Sequence, residues 1–112
     1  MNLLVFPAPD LAKSKALFRT LLGTDPYVDS SFYVGFRTNG LEIGLDPNGK
    51  SAGPIAYWEV DDIEGALKRL LDAGAEKVQD PHDVGRGLLV AQARDAGGST
   101  IGLRSASLAK KR

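Results

Sequence analysis

Cysteine is absent from this sequence, which removes disulfide frameworks, thiolate metal sites and cysteine nucleophiles in one stroke. Histidine occurs once, as His82; standing among Pro81, Asp80 and Asp83, it reads as a surface loop residue rather than as a ligand or a base. Charge of either sign is not in excess: fourteen Lys and Arg balance fourteen Asp and Glu. There is thus no electrostatic reason to expect nucleic acid as a partner. The basic cluster Lys110, Lys111 and Arg112 reads as a solvated terminus. Long hydrophobic runs are missing as well. Leu3 to Phe6 is apolar, but Pro7 and Pro9 end the run, far short of the ~20 apolar residues of a membrane span and without the basic segment of a signal peptide. No membrane is expected, and the cytoplasm is the default location.

What is present is the material of one ordinary domain. At 112 residues, with 43% hydrophobic and 25% charged residues, the chain is large enough for one core and too small for two independent ones. Leu3 to Phe6 reads as a strand. Asp10 follows as a helix N-cap, apolar residues recur at helical spacing from Ala12 to Leu22, and Gly23 stands where a left-handed stop is wanted. Ser31 to Arg37 and Leu41 to Leu45 read as strands joined by Asn39-Gly40, a strong hairpin signal, with Tyr27-Val28 a weaker strand before them.

The pattern then restarts. After the turn-rich segment Asp46 to Pro54, Ile55 to Val60 reads as a strand. A second helix is capped by Asp61 or Asp62, with Glu64 placed as in a capping box, and it ends at Gly74. Val78, Leu88 to Arg94 and Thr100 to Leu103 complete the pattern. The expected fold class is α+β: two tandem βαβββ modules, 1–46 and 54–104, forming curved mixed sheets with a helix on the outer face of each, in a single domain with a tail at 105–112.

With Asp10-Leu11 opening the first helix, Leu21-Leu22-Gly23 closing it, Glu59-Val60-Asp61-Asp62 opening the second, and the late turn and strand Asp95 to Leu103, the chain resembles the vicinal oxygen chelate superfamily. That superfamily includes glyoxalase I, extradiol dioxygenases and bleomycin-resistance proteins. In its metal-dependent members the resemblance implies one metal ligand from the first and one from the last strand of each half. Aligned by the helix caps, the first-strand positions hold Leu3 and Ile55; aligned by the last strands, the carboxylate positions hold Glu42 and Gly102. Only Glu42 is a ligand type, and one carboxylate cannot hold a divalent transition metal that needs three or four ligands. No metal and no other cofactor are expected.

Strand alternation locates the face that would line a pocket. A two-residue hairpin at Asn39-Gly40 opposes Arg37 to Glu42 and Phe36 to Ile43. Val34, Phe36, Ile43 and Leu45 then face the helix, leaving Tyr33, Gly35, Arg37, Glu42 and Gly44 on the concave side. By the same alternation Tyr57 and Glu59 join the concave face and Trp58 is core; Val5, Gln92, Arg94, Thr100 and Arg104 share the concave parity. Gly35, Gly44 and Gly102 suggest space for a ligand, or mark sheet curvature. Arg37 and Glu42 either neutralise each other within a binding site or form an ordinary cross-strand pair.

The expected ligand-binding set is Tyr33, Arg37, Glu42, Tyr57, Glu59 and Gln92, with no catalytic residue assigned. The resemblance and the lost ligands together point to a metal-free small-molecule-binding protein of the bleomycin-resistance kind, with ligand sequestration or antibiotic resistance as its expected role. The alternatives are a lyase, isomerase or dioxygenase of the same superfamily, with Glu42 as a general base in a metal-free version, and a structural module with no ligand. A homodimer is expected, since small single-domain relatives pair chains to close eight strands around a cavity.

Overall fold

The computed structural model describes residues 2–85 and 87–106. The basic cluster at Lys110 to Arg112 lies outside the described residues. The chain divides into two units, Met1–Ile55 and Ala56–Arg112. The fold is α+β, with one helix and four strands of mixed β-sheet in each half.

In the first half, β1 (Asn2–Pro7) leads into α1 (Leu11–Leu22). Asp10 caps the helix by accepting from the Lys13 N–H, and Gly23 ends it at φ 69°, the left-handed conformation that a residue with a Cβ adopts at a cost. β2 (Val28–Asp29), β3 (Val34–Thr38) and β4 (Leu41–Asp46) follow, and the four strands lie in the order β2-β3-β4-β1. Asn39 and Gly40 both take positive φ, 50° and 78°, as a two-residue hairpin turn requires. The turn fixes the register: Arg37 opposes Glu42, Phe36 opposes Ile43, and Gly35 opposes Gly44. β1 runs parallel to β4, with Leu3 opposite Glu42 and Val5 opposite Gly44. Val34, Phe36, Ile43 and Leu45 are buried under α1 with Ala8, and Leu4, Phe6, Leu11, Phe18 and Leu22 pack against them. The opposite face therefore carries Leu3, Val5, Gly35, Arg37, Glu42 and Gly44.

The second half repeats the order as β5 (Ile55–Glu59), α2 (Ile63–Asp72), β6 (Glu76–Asp83), β7 (Leu89–Arg94) and β8 (Thr100–Ser105), arranged β5-β8-β7-β6. Asp62 is the N-cap of α2, and its carboxylate accepts from the Gly65 N–H at 3.1 Å. Glu64 consequently falls one position short of a capping box. Ile63, Ala66 and Leu67 of α2 bury against Ala91, Ala93 and Leu103. The Ser105 hydroxyl donates to the Asp61 carbonyl and the Val60 N–H to the Arg104 carbonyl, which ties the start of α2 to the end of β8.

Two expectations are corrected here. His82 lies in strand β6, opposite Val90, rather than in a loop. β6 tolerates Pro81 because its pairing to β7 is interrupted by register shifts between Lys77 and His82, and bulges release proline from the ladder. Trp58 is not core. It shares the face of Leu103, its register partner, but α2 packs on β6, β7 and β8, and Trp58 is left 52% exposed.

Candidate functional site

The most built-up polar arrangement on a sheet face turned away from its helix is centred on Glu42. This side chain is only 7% exposed, and a buried carboxylate must be met by donors. Two arrive at the same oxygen: Arg37 Nε donates to Glu42 Oε2 at 3.1 Å, and the Tyr27 phenol donates to it at 2.5 Å. The Arg37 guanidinium also lies over the Tyr27 ring, 4.0 Å from its centroid, where the ring quadrupole attracts the cation. Tyr27 is placed by its backbone, whose N–H donates to the Gly35 carbonyl.

The glycines on this face make room for tyrosine rings. A Cβ on Gly44 would run into the hydroxyl end of Tyr33, and one on Gly35 would come within 3.1 Å of Tyr27 and 3.3 Å of Tyr33. In the second half a Cβ on Gly102 would stand 2.5 Å from Tyr57 Cδ1. The Tyr57 hydroxyl accepts from Gln92 Nε2 at 2.6 Å. Space that the sequence suggested was vacant above Gly35, Gly44 and Gly102 is thus occupied, at each glycine, by a tyrosine of the same half.

Of the six residues read from sequence, Arg37 and Glu42 bond to each other, and Tyr33 stands before β3 against Gly44 on the same face. Tyr57 and Gln92 form a second pair. Glu59 is exposed at the end of β5. Sequence reasoning missed Tyr27. Tyr27-Val28 reads as a weak strand, but the reach of Tyr27 to Glu42 depends on the register of β2 on β3, which so short a strand does not reveal.

The register also corrects the alignment of the two halves. Gly102 opposes Gln92 and Tyr57, just as Gly44 opposes Gly35 and Val5. The counterpart of Glu42 is therefore Thr100, which opposes Arg94 as Glu42 opposes Arg37. Arg94 turns instead to Glu76 on β6, at 3.2 Å. Neither Thr100 nor Gly102 offers a carboxylate. Among the described residues no three His, Asp or Glu side chains gather in a group that could hold a metal ion. In the first half, Glu42 is accompanied by Leu3 on β1 and is held by an organic cation, which is not the donor set of a divalent metal.

An open depression of about 460 Å³ lies elsewhere in the first half, lined by Arg19, Thr20, Thr24 and Asp25 near the end of α1. The Arg19–Asp25 ion pair, 2.8 Å, spans it.

The model of the glyoxalase/bleomycin resistance protein/dioxygenase superfamily matches residues 1–103. The chain belongs to that superfamily. Solved structures agree on the fold. A structure described as NAD-dependent benzaldehyde dehydrogenase from Legionella pneumophila superposes with a TM-score of 0.77 at 20% identity, covering 94% of this chain and 98% of that one. A glyoxalase/bleomycin resistance protein/dioxygenase superfamily member from Vibrio splendidus 12B01 gives 0.68 at 15% identity, covering 94% and 97%. The Mn(II)-bound glyoxalase from Novosphingobium aromaticivorans gives 0.68 at 13% identity, covering 95% of this chain and 38% of that larger one. At these identities the likeness is one of fold. No curated protein matches the sequence.

Proposed function

We propose that this superfamily member is a small-molecule-binding protein that works without a divalent metal and holds its ligand on the tyrosine-lined sheet face, sequestering it rather than transforming it. The observation that supports this reading most is the state of Glu42. It is the one carboxylate at a position where the superfamily carries metal ligands, and its Oε2 is engaged by Tyr27 and Arg37. A carboxylate held by a guanidinium is a poor general base, because the cation favours its ionised, bonded form. The metal-free enzyme is therefore the weaker reading. Tyrosine rings with hydroxyl tips and a few polar groups suit a ligand that is partly apolar.

The protein is further proposed to act as a homodimer in the cytoplasm. Among the described residues no helix is long and apolar enough to cross a membrane. α1 has no fully buried residue, and its Leu17 and Leu21 are 66% and 70% exposed, which leaves apolar surface for a second chain to cover.

Equilibrium dialysis against Mn²⁺, Ni²⁺ and Zn²⁺ followed by elemental analysis tests the metal-free reading. No stoichiometric metal is expected, and one tightly held ion per chain would overturn it. A thermal-shift screen over metabolites and antibiotics tests the binding reading, since a ligand of the folded state raises its melting temperature.

A further inference from the structure

We infer that the tyrosine-lined face of the first half recognises a carboxylate group, captured in-plane by the outer edge of the Arg37 guanidinium. The inference rests on the proposed ligand-binding role of that face and names the chemistry it would select.

Arg37 is fixed from two directions. Its Nε–H is committed to Glu42 Oε2 at 3.1 Å, and its Cζ lies over the Tyr27 ring, 4.0 Å from the centroid. Tyr27 is in turn held by its bond to the same carboxylate oxygen, by its backbone bond to Gly35, and by the close approach that glycine permits. The Arg37 side chain is nevertheless 59% exposed. Among the described residues its only hydrogen bond is the one from Nε. With Nε committed to Glu42, the Nη1 and Nη2 N–H groups form a planar fork with no acceptor among the described residues.

The chemistry of that fork limits its ligand. A guanidinium carries donors and no acceptor, so the group it binds must accept. Two parallel N–H groups in one plane match the two oxygens of a planar carboxylate better than a single carbonyl. Glu42 shares the single positive charge of Arg37, so the site disfavours a phosphate dianion more strongly than a carboxylate monoanion, whose binding rests on the geometry of the fork rather than on net charge. Because the guanidinium is held before the ligand arrives, little side-chain freedom is lost on binding. Lysine in the same place would keep the charge and lose the planar fork.

The test uses the full chain, ¹⁵N-labelled, titrated with butyrate, its neutral counterpart butyramide, and inorganic phosphate, followed at the Arg37 Nε–Hε resonance and at Tyr27 and Tyr33. Butyrate is expected to shift Arg37 saturably, butyramide is not, and Arg37→Lys should weaken butyrate by about tenfold or more. The inference is overturned if butyrate leaves the wild-type Arg37 resonance unmoved, if Arg37→Lys binds it equally well, or if phosphate binds more tightly. The wild-type titration decides even where the variant folds poorly. The two readings fail separately: neutral or cationic compounds that bind this face while carboxylates do not sink the inference alone, whereas a compound library that perturbs no residue of the face sinks the ligand-binding role itself.

Discussion

Adding one methyl group at Gly102 and at Gly44 should give different results, although the two glycines are equivalent in register. At Gly102 the new Cβ would stand 2.5 Å from Cδ1, 2.7 Å from Cγ and 2.8 Å from Cε1 of Tyr57. Cγ is bonded to the tyrosine Cβ, so no rotation of the ring about its own axis relieves the clash. Tyr57 must change χ1 or the two strands must part. Overpacking of this kind costs about 1–3 kcal/mol, and the Gln92–Tyr57 hydrogen bond, lost if the ring moves, adds about 0.5–1.5 kcal/mol. Replacing glycine within a strand returns about 0.5–1 kcal/mol. Gly102→Ala should therefore destabilise by about 2 kcal/mol, which for a urea slope of ~1–3 kcal/mol per molar lowers the midpoint by roughly 1 M. At Gly44 the atoms met are Oη, Cζ and Cε1 of Tyr33, the far end of a side chain that precedes β3 and can swing aside. Gly44→Ala should stay within about 1 kcal/mol of wild type, the overpacking being relieved and the glycine gain retained. Urea melts at one fixed protein concentration measure both, and adding Tyr57→Ala should recover most of the Gly102→Ala loss in a double-mutant cycle. Equal stability of Gly102→Ala and wild type would show that Tyr57 does not lie over Gly102.

Tyr27→Phe removes a hydrogen-bond donor from a buried carboxylate and should cost about 1–3 kcal/mol in the same melts; no loss would mean that Tyr27 does not help to satisfy Glu42. Glu42→Gln keeps the shape but weakens both bonds and frees the guanidinium, with an expected loss of about 1–3 kcal/mol and a broadened Arg37 Nε–Hε resonance; a sharp, unshifted resonance would count against the pairing. Asp62→Ala should lower stability by about 1 kcal/mol through the lost cap on α2, and an unchanged urea midpoint would refute that capping role. Sedimentation at micromolar concentration should return a dimer, and a pure monomer there would refute the proposed pairing of chains.

The parts of this molecule that were legible in the sequence are those governed by local rules. Asn39-Gly40 set a turn whose register then placed Arg37 opposite Glu42, because a two-residue loop admits one pairing. Asp10 with Gly23, and the Asp61-Asp62 pair before α2, marked both helices by their caps, although the sequence left open which aspartate caps α2 and its capping box with Glu64 does not form. The misses share a different cause. Tyr27 reaches Glu42 through a two-residue strand with no pattern of its own. Trp58 has the parity of a core residue, yet parity says which face a side chain takes and not whether the helix covers that part of it. The stretch around Pro81 looked like a loop because proline is scarce in ladders; a strand with register shifts is where that scarcity relaxes.

The glycines show how one residue type admitted opposite readings. A missing side chain on an inward position implies vacant space only if nothing longer reaches it, and on a sheet the neighbours of a glycine are other strands. Tyr33 occupies Gly44 and Tyr57 occupies Gly102, so what the glycines provide is close approach of a ring to the backbone. Two residues before each tyrosine-covered glycine the two halves then differ in a way that decides the fate of an arginine. The first has Glu42 there, and the carboxylate draws in Arg37 and Tyr27; the second has Thr100, and Arg94 turns outward to Glu76. A threonine cannot neutralise an arginine. The guanidinium held between a carboxylate and a tyrosine ring is therefore a feature of the first half, and the two halves are not expected to recognise the same chemical group.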